Sequence, residues 1–206
     1  MSRKDDRFGE SRRRGSAWWR DRFFLGILIL TAAGLILMTP QGRSLLALVG
    51  IHLAAVAIHE GGHYLAALRL RYRVSSVRIG PLEITPGYRG WRMGLVKVAL
   101  DGHVEALPPD HRYAPGRDAM LAAAGPLANF AAMIALHGLY LLIGMLPAEG
   151  VTLSVRDLVG GFTEGLALWS GGIGVFNLIP FRTRRYPSDG AQLLEFVRRS
   201  RRIGRR

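Results

Sequence analysis

Blocks of positive charge alternate with uncharged blocks along this chain, and that alternation restricts its fold more than any other feature. Residues 1–22 hold eight basic side chains, and Phe23–Met38 then runs without a charge. Residues 44–68 are apolar except for His52, His59, Glu60 and His63; 119–146 carry only His137; 158–180 carry Glu164 as their sole charge. Basic residues number eight in 1–22, one in 39–43, nine in 69–118, one in 147–157 and nine after 180, so alternate segments hold 26 and 2. Uncharged runs of this length suit the hydrocarbon layer, and the asymmetry follows the positive-inside rule. The pattern predicts a mainly α polytopic integral membrane protein with four transmembrane helices at about 18–39, 44–68, 119–146 and 158–180, and with both termini cytoplasmic. Trp18 and Trp19 suit an interfacial aromatic belt. A cleaved signal peptide is the alternative for the first run, but its charged region would be unusually long and no small-x-small site follows.

The formal charge of +13 has the same explanation. It is concentrated in the predicted cytoplasmic segments, where it attracts anionic lipid and requires no nucleic acid. With 49% hydrophobic residues and no cysteine, the chain is neither a disordered basic tail nor a disulfide scaffold. Any metal must bind His, Asp or Glu. Between the second and third spans, Val74–Ile84 and Met93–Ala106 are rich in Val, Ile and Leu, so two to four short strands are expected as a cytoplasmic β-rich insertion at 74–106. Asp101-Gly102 is read as a hairpin turn. The expected organisation is a basic tail at 1–22, one domain at 23–195, and a frayed amphipathic basic tail at 196–206.

His59-Glu60-Gly61-Gly62-His63 places two imidazoles at i and i+4, on one face of a helix at a separation one Zn²⁺ can bridge. Two histidines and a glutamate inside an apolar span are costly unless paired or bound to metal, which weighs against simple helix-packing histidines. At 1.5 Å per residue, His63 and His59 lie about 9 and 15 Å short of Arg69, within the membrane. The third ligand should come from another segment ending on that side. Asp189, after the fourth span, is the candidate, against the plainer reading of Asp-Gly as a turn. A zinc so held would lower the pKa of bound water, with Glu60 as the general base for peptide hydrolysis. Gly61 and Gly62 either leave room for a peptide or pack helices. His52 packs or hydrogen-bonds, and Gly171, Gly172 and Gly174 form a packing or flexing point.

Three separated motifs now stand in order: His59–His63; Gly125-Pro126-Leu127-Ala128-Asn129; and Asn177, Pro180, Asp189 and Gly190. Together they resemble the site-2 protease family of intramembrane zinc metalloproteases over roughly residues 45–195. Family members commonly have a shorter run between the proline and Asp-Gly than Phe181–Ser188. The resemblance implies an intramembrane zinc endopeptidase with one Zn²⁺ per chain, with Asn129 and Asn177 contacting substrate. It also implies a single-span, membrane-tethered regulatory substrate of the anti-sigma or pro-sigma type, a bacterial inner-membrane location, and a regulatory membrane partner or homo-oligomer. The strand-rich insertion would hold an unwound substrate as an added strand. A non-catalytic membrane scaffold or chaperone that keeps the fold is the alternative, and intact Glu60 argues against it.

Overall fold

The computed structural model describes residues 40–88, 90–96, 100–108, 115–145, 153–182 and 187–203. The expected tail at 1–22 and first span at 18–39 lie outside these residues. The chain divides into compact units at Met1–Leu48 and Val49–Arg206. Of the first, only the opening of a helix is described; every contact below lies within the second.

The described elements are α1 (Pro40–Arg69), β1 (Arg73–Ile79), β2 (Leu82–Gly87), β3 (Gly90–Leu95), β4 (Gly102–Leu107), α2 (Pro115–Met145), α3 (Leu153–Leu178) and α4 (Asp189–Ile203). Two of these helices are long and apolar enough to cross a membrane, over Ser44–Arg69 and Gly116–Met145. They coincide with the expected second and third spans. The expected fourth span is a helix too, but Arg156 and Asp157 lie in its first turns.

Burial in this fold is inverted. Leu65, Leu127, Ile134, Leu142, Leu168 and Phe176 are exposed, whereas His59, Glu60, Asn129, Ser170 and Asp189 are buried among small residues such as Ala55, Ala122 and Ala167. A water-soluble bundle would bury its leucines; apolar faces outside and small residues at the crossings suit lipid. The glycines mark those crossings. A Cβ on Gly62 would lie 2.5 Å from the Ala124 carbonyl oxygen, and one on Gly171 would lie 2.4 Å from Met133 Sδ. Gly174 similarly faces Asn129 and Phe130, while Gly61 and Gly172 face open space. Gly62, Gly171 and Gly174 therefore serve helix packing.

The end of α1 is closed by Arg71 at φ 61°, with Arg71 N–H donating to Leu68 and Tyr72 N–H to Ala67. This is the Schellman pattern with arginine in the left-handed position that usually takes glycine. It turns Tyr72 inward, where its hydroxyl donates to Asp118 at 2.5 Å and the Arg117 guanidinium lies 5.5 Å from its ring centroid. Arg117 also donates to the Leu70 carbonyl. The C-terminus of α1 and the N-terminus of α2 are thus stapled together.

Four antiparallel strands fill the insertion in the order β3-β2-β1-β4. Gly80, at φ 56°, turns β1 into β2. Asp101-Gly102 does not form a hairpin turn: β4 passes over β3 and β2 to pair with β1, with Val77 opposite Val104 and Arg78 opposite His103. Asp101 instead accepts from Arg78 at 2.8 Å, and its carbonyl accepts from Gly80 N–H. Nor does the insertion lie wholly beyond the end of α1, as a cytoplasmic loop would. His52 donates from Nε2 to the Leu100 carbonyl at 2.8 Å and accepts at Nδ1 from the Trp169 indole at 3.0 Å. His52 precedes Arg69 by 17 residues, about 25 Å of helix, so Leu100, just before β4, lies beside the far third of the candidate span Ser44–Arg69. Backbone at that depth is tolerable where protein covers its polar groups.

Candidate metal centre

His59 and His63 face α2 and α4 from adjacent turns of α1. His59 Nε2 lies 3.0 Å from Asp189 Oδ2 and 3.2 Å from His63 Nε2, and His63 Nε2 lies 3.4 Å from Asp189 Oδ1. Among the described residues these three form a group able to hold a metal ion, with donor atoms all within 4.8 Å of one another. Tetrahedral zinc with ligands at about 2.0–2.1 Å separates neighbouring donors by about 3.3 Å, so the spacing fits.

Tautomers can be assigned from the partners. His63 Nδ1–H donates to the Leu121 carbonyl at 2.8 Å, which leaves the Nε2 lone pair directed at the centre. His59 Nδ1 meets the Asn129 amide at 3.4 Å, and Asn129 is fully buried with Oδ1 unpartnered. A half-turn of that amide sets Oδ1 against Nδ1–H, satisfies the orphaned oxygen and frees His59 Nε2 for a metal. Asp189 is pulled two ways. Burial raises its pKa, but the His59 and His63 imidazoles against its two oxygens outweigh this and hold the carboxyl below its ordinary range.

Space for an ion comes from Gly125. A Cβ there would lie 2.3 Å from His63 Nε2 and 2.7 Å from His59 Nε2. The Gly-Pro segment of α2 therefore supplies a cradle that any side chain would fill. Pro126 beside it has no N–H for the Ala122 carbonyl, a local gap in the helix ladder opposite the site.

Contacts among the described residues just before it hold Asp189 at the centre. After α3 ends, Arg182 bridges Pro187, and Ser188 ties three strands of chain: its hydroxyl donates to the Ile179 carbonyl at 2.7 Å and accepts from Phe181 N–H at 3.1 Å and Ala191 N–H at 3.2 Å. Gly190 is pressed on the Leu178 carbonyl, where a Cβ would be only 1.9 Å away. Asp189 follows this knot directly, as the first residue of α4.

A cavity of about 460 Å³ opens from the centre. Glu60 lines it beside the two histidines, its side chain against Gly102, where a Cβ would lie 2.5 Å from Oε1. Residues 102–106 of β4 all line it. Consecutive residues point to opposite faces of a strand, so what borders the cavity is the free edge of β4. Asn177 lines the cavity, whereas Asn129 sits behind His59. His52 lies apart, bound to Leu100 and Trp169. The roles of Gly102, Gly125, Ser188 and the Leu121 carbonyl escape the sequence motifs; Gly125 alone left a signal, as part of Gly-Pro.

The profile of peptidase family M50 matches residues 46–161, over half of the chain. Neither the curated proteins nor the solved structures give a match. The matched stretch contains His59, Glu60, His63, Gly125 and Asn129, and ends before Asn177 and Asp189.

Proposed function

Because the chain belongs to peptidase family M50, a family of membrane metalloproteases, we propose that it is an intramembrane zinc endopeptidase cutting in or near the transmembrane segment of a membrane-tethered regulatory protein. The observation that carries this reading is the convergence of His59, His63 and Asp189 beside Glu60 at the mouth of one cavity. One zinc per chain, held by those three residues, would supply a Lewis acid and a water of lowered pKa. Glu60 takes the proton of the attacking water and delivers it to the leaving amine. Leu121 and Asn129 orient the two imidazoles, and Gly125 keeps the space between them open.

Hydrolysis needs an extended peptide, because a helical substrate hides its carbonyls in its own hydrogen bonds. The free edge of β4 offers a row of backbone groups along the cavity, on which an unwound substrate can pair. Asn177 meets the substrate there. The 26-to-2 charge asymmetry supports cytoplasmic termini and a site opening to the cytoplasm, and the family resemblance is what suggests a bacterial inner membrane.

Metal content of the purified protein tests this reading without a known substrate. About one zinc per chain is expected, sharply reduced in His63→Ala and in Asp189→Ala. Zinc lost only from the histidine variant would remove Asp189 from the site. No zinc in folded wild type, even after zinc is added back, would leave a scaffold in place of an enzyme.

A further inference from the structure

A second groove, of about 550 Å³, lies between the end of α3 and the outer face of α4. Its floor is apolar, with Phe181 and Leu194, and its rim carries Arg182, Arg198 and Arg199 against one acid, Glu195. Glu195 accepts from Arg182 at 2.9 Å and from Arg199, and the two guanidiniums hold its carboxyl below the ordinary range. All the same, three positive charges on one negative leave the rim with net positive charge. The helix that walls the groove is strongly amphipathic: Leu194 and Val197 are exposed one turn apart, and Arg198, Arg199, Arg201 and Arg202 follow. Residues 196–203 of the expected amphipathic tail belong to this helix, and 204–206 lie outside the described residues.

We propose that this groove is a binding site for one anionic phospholipid, its phosphate on the arginine rim and an acyl chain over Phe181 and Leu194. The proposal rests on the membrane reading above, because α4 packs against α2, one of the two candidate spans. Charge complementarity selects the ligand: an arginine fork pairs with phosphate oxygens, and basic amphipathic helices favour anionic leaflets. An acidic peptide satisfies the rim less well. An extended backbone needs hydrogen-bond partners, and the α4 wall has its own backbone groups bonded within the helix. The groove also adjoins the metal centre. Phe181 borders both cavities, and the Ser188 knot joins the floor to Asp189. A lipid that steadies Arg182 against α4 thus steadies the loop that delivers the third ligand.

The test uses the full chain in a neutral detergent, titrated with phosphatidylglycerol or phosphatidylcholine, with bound lipid counted by native mass spectrometry. Wild type should retain one phosphatidylglycerol in preference to phosphatidylcholine. Arg182→Gln and Arg198→Gln should each weaken that preference about fivefold. Glu195→Gln should strengthen it by a similar factor, because it removes the competing carboxylate; a gain cannot come from misfolding. Equal retention of the two lipids, or unchanged preference in all three variants, would overturn the proposal. So would displacement of the lipid by an octaglutamate peptide, which would reassign the groove to a protein partner. Zinc measured in the same samples separates the two readings: lipid preference without zinc supports the groove and counts against the protease.

Discussion

Replacing Gly125 with alanine puts a single carbon where the metal ligands converge. Its Cβ would lie 2.3 Å from His63 Nε2 and 2.7 Å from His59 Nε2, against about 3.5 Å for resting non-bonded atoms. His63 must retreat by about 1 Å. It cannot do so freely, because Nδ1 is held by the Leu121 carbonyl one turn earlier in the same helix. Separating the helices would relieve the clash only by pulling α1 off the backbone of Ala124, where Gly62 packs. Metal-ligand distances tolerate about 0.2 Å, so the variant loses at least one ligand. Even supporting residues cost about 10–100-fold in metal affinity when removed, and Gly125→Ala should exceed that range. The assay is competition for zinc against a chromogenic chelator, with helix content by circular dichroism to show that the protein is folded. Gly138→Ala, in the same helix with nothing within 4 Å of the new carbon, is the control and should bind as wild type does. If Gly125→Ala also holds zinc with wild-type affinity, the centre does not lie between these imidazoles.

Three further outcomes are expected. Glu60→Gln should retain zinc while cleavage of a single-span membrane substrate falls about 10²–10⁴-fold; normal cleavage would end the general-base assignment. Asn129→Ala should weaken zinc about 10–100-fold in the same chelator competition, and Asn129→Asp, which keeps an acceptor for His59 Nδ1–H, should recover part of the loss. Gly62→Ala should destabilise the fold by about 1–3 kcal/mol in a denaturation series, while its neighbour Gly61→Ala, facing open space, should not.

Much of this molecule is legible in one dimension. Long apolar helices and strands are dictated by local composition: α1 and α2 are long apolar runs bounded by charge, and the Val- and Ile-rich insertion forms strands at the places its glycines and prolines allow. The His59–His63 pair is local as well, because i and i+4 share a helix face whatever the rest of the chain does.

The third ligand is different in kind. Asp189 is 126 residues from His63, and an Asp-Gly pair reads as a turn until the Arg182–Pro187 bridge and the Ser188 knot deliver it to the histidines. Asp101-Gly102 shows the converse. The same dipeptide reads as a hairpin, yet its glycine exists to admit Glu60, and its strand leaves its sequence neighbours to pair with β1. Which glycines matter is invisible without neighbours: Gly61 and Gly62 are alike in the sequence, but one faces open space and the other a helix backbone. The sequence by itself determined what each segment is, because hydrophobicity and side-chain period act over a few residues. Only the tertiary structure decided what each segment meets, because a contact between distant residues depends on how every element between them turns and packs.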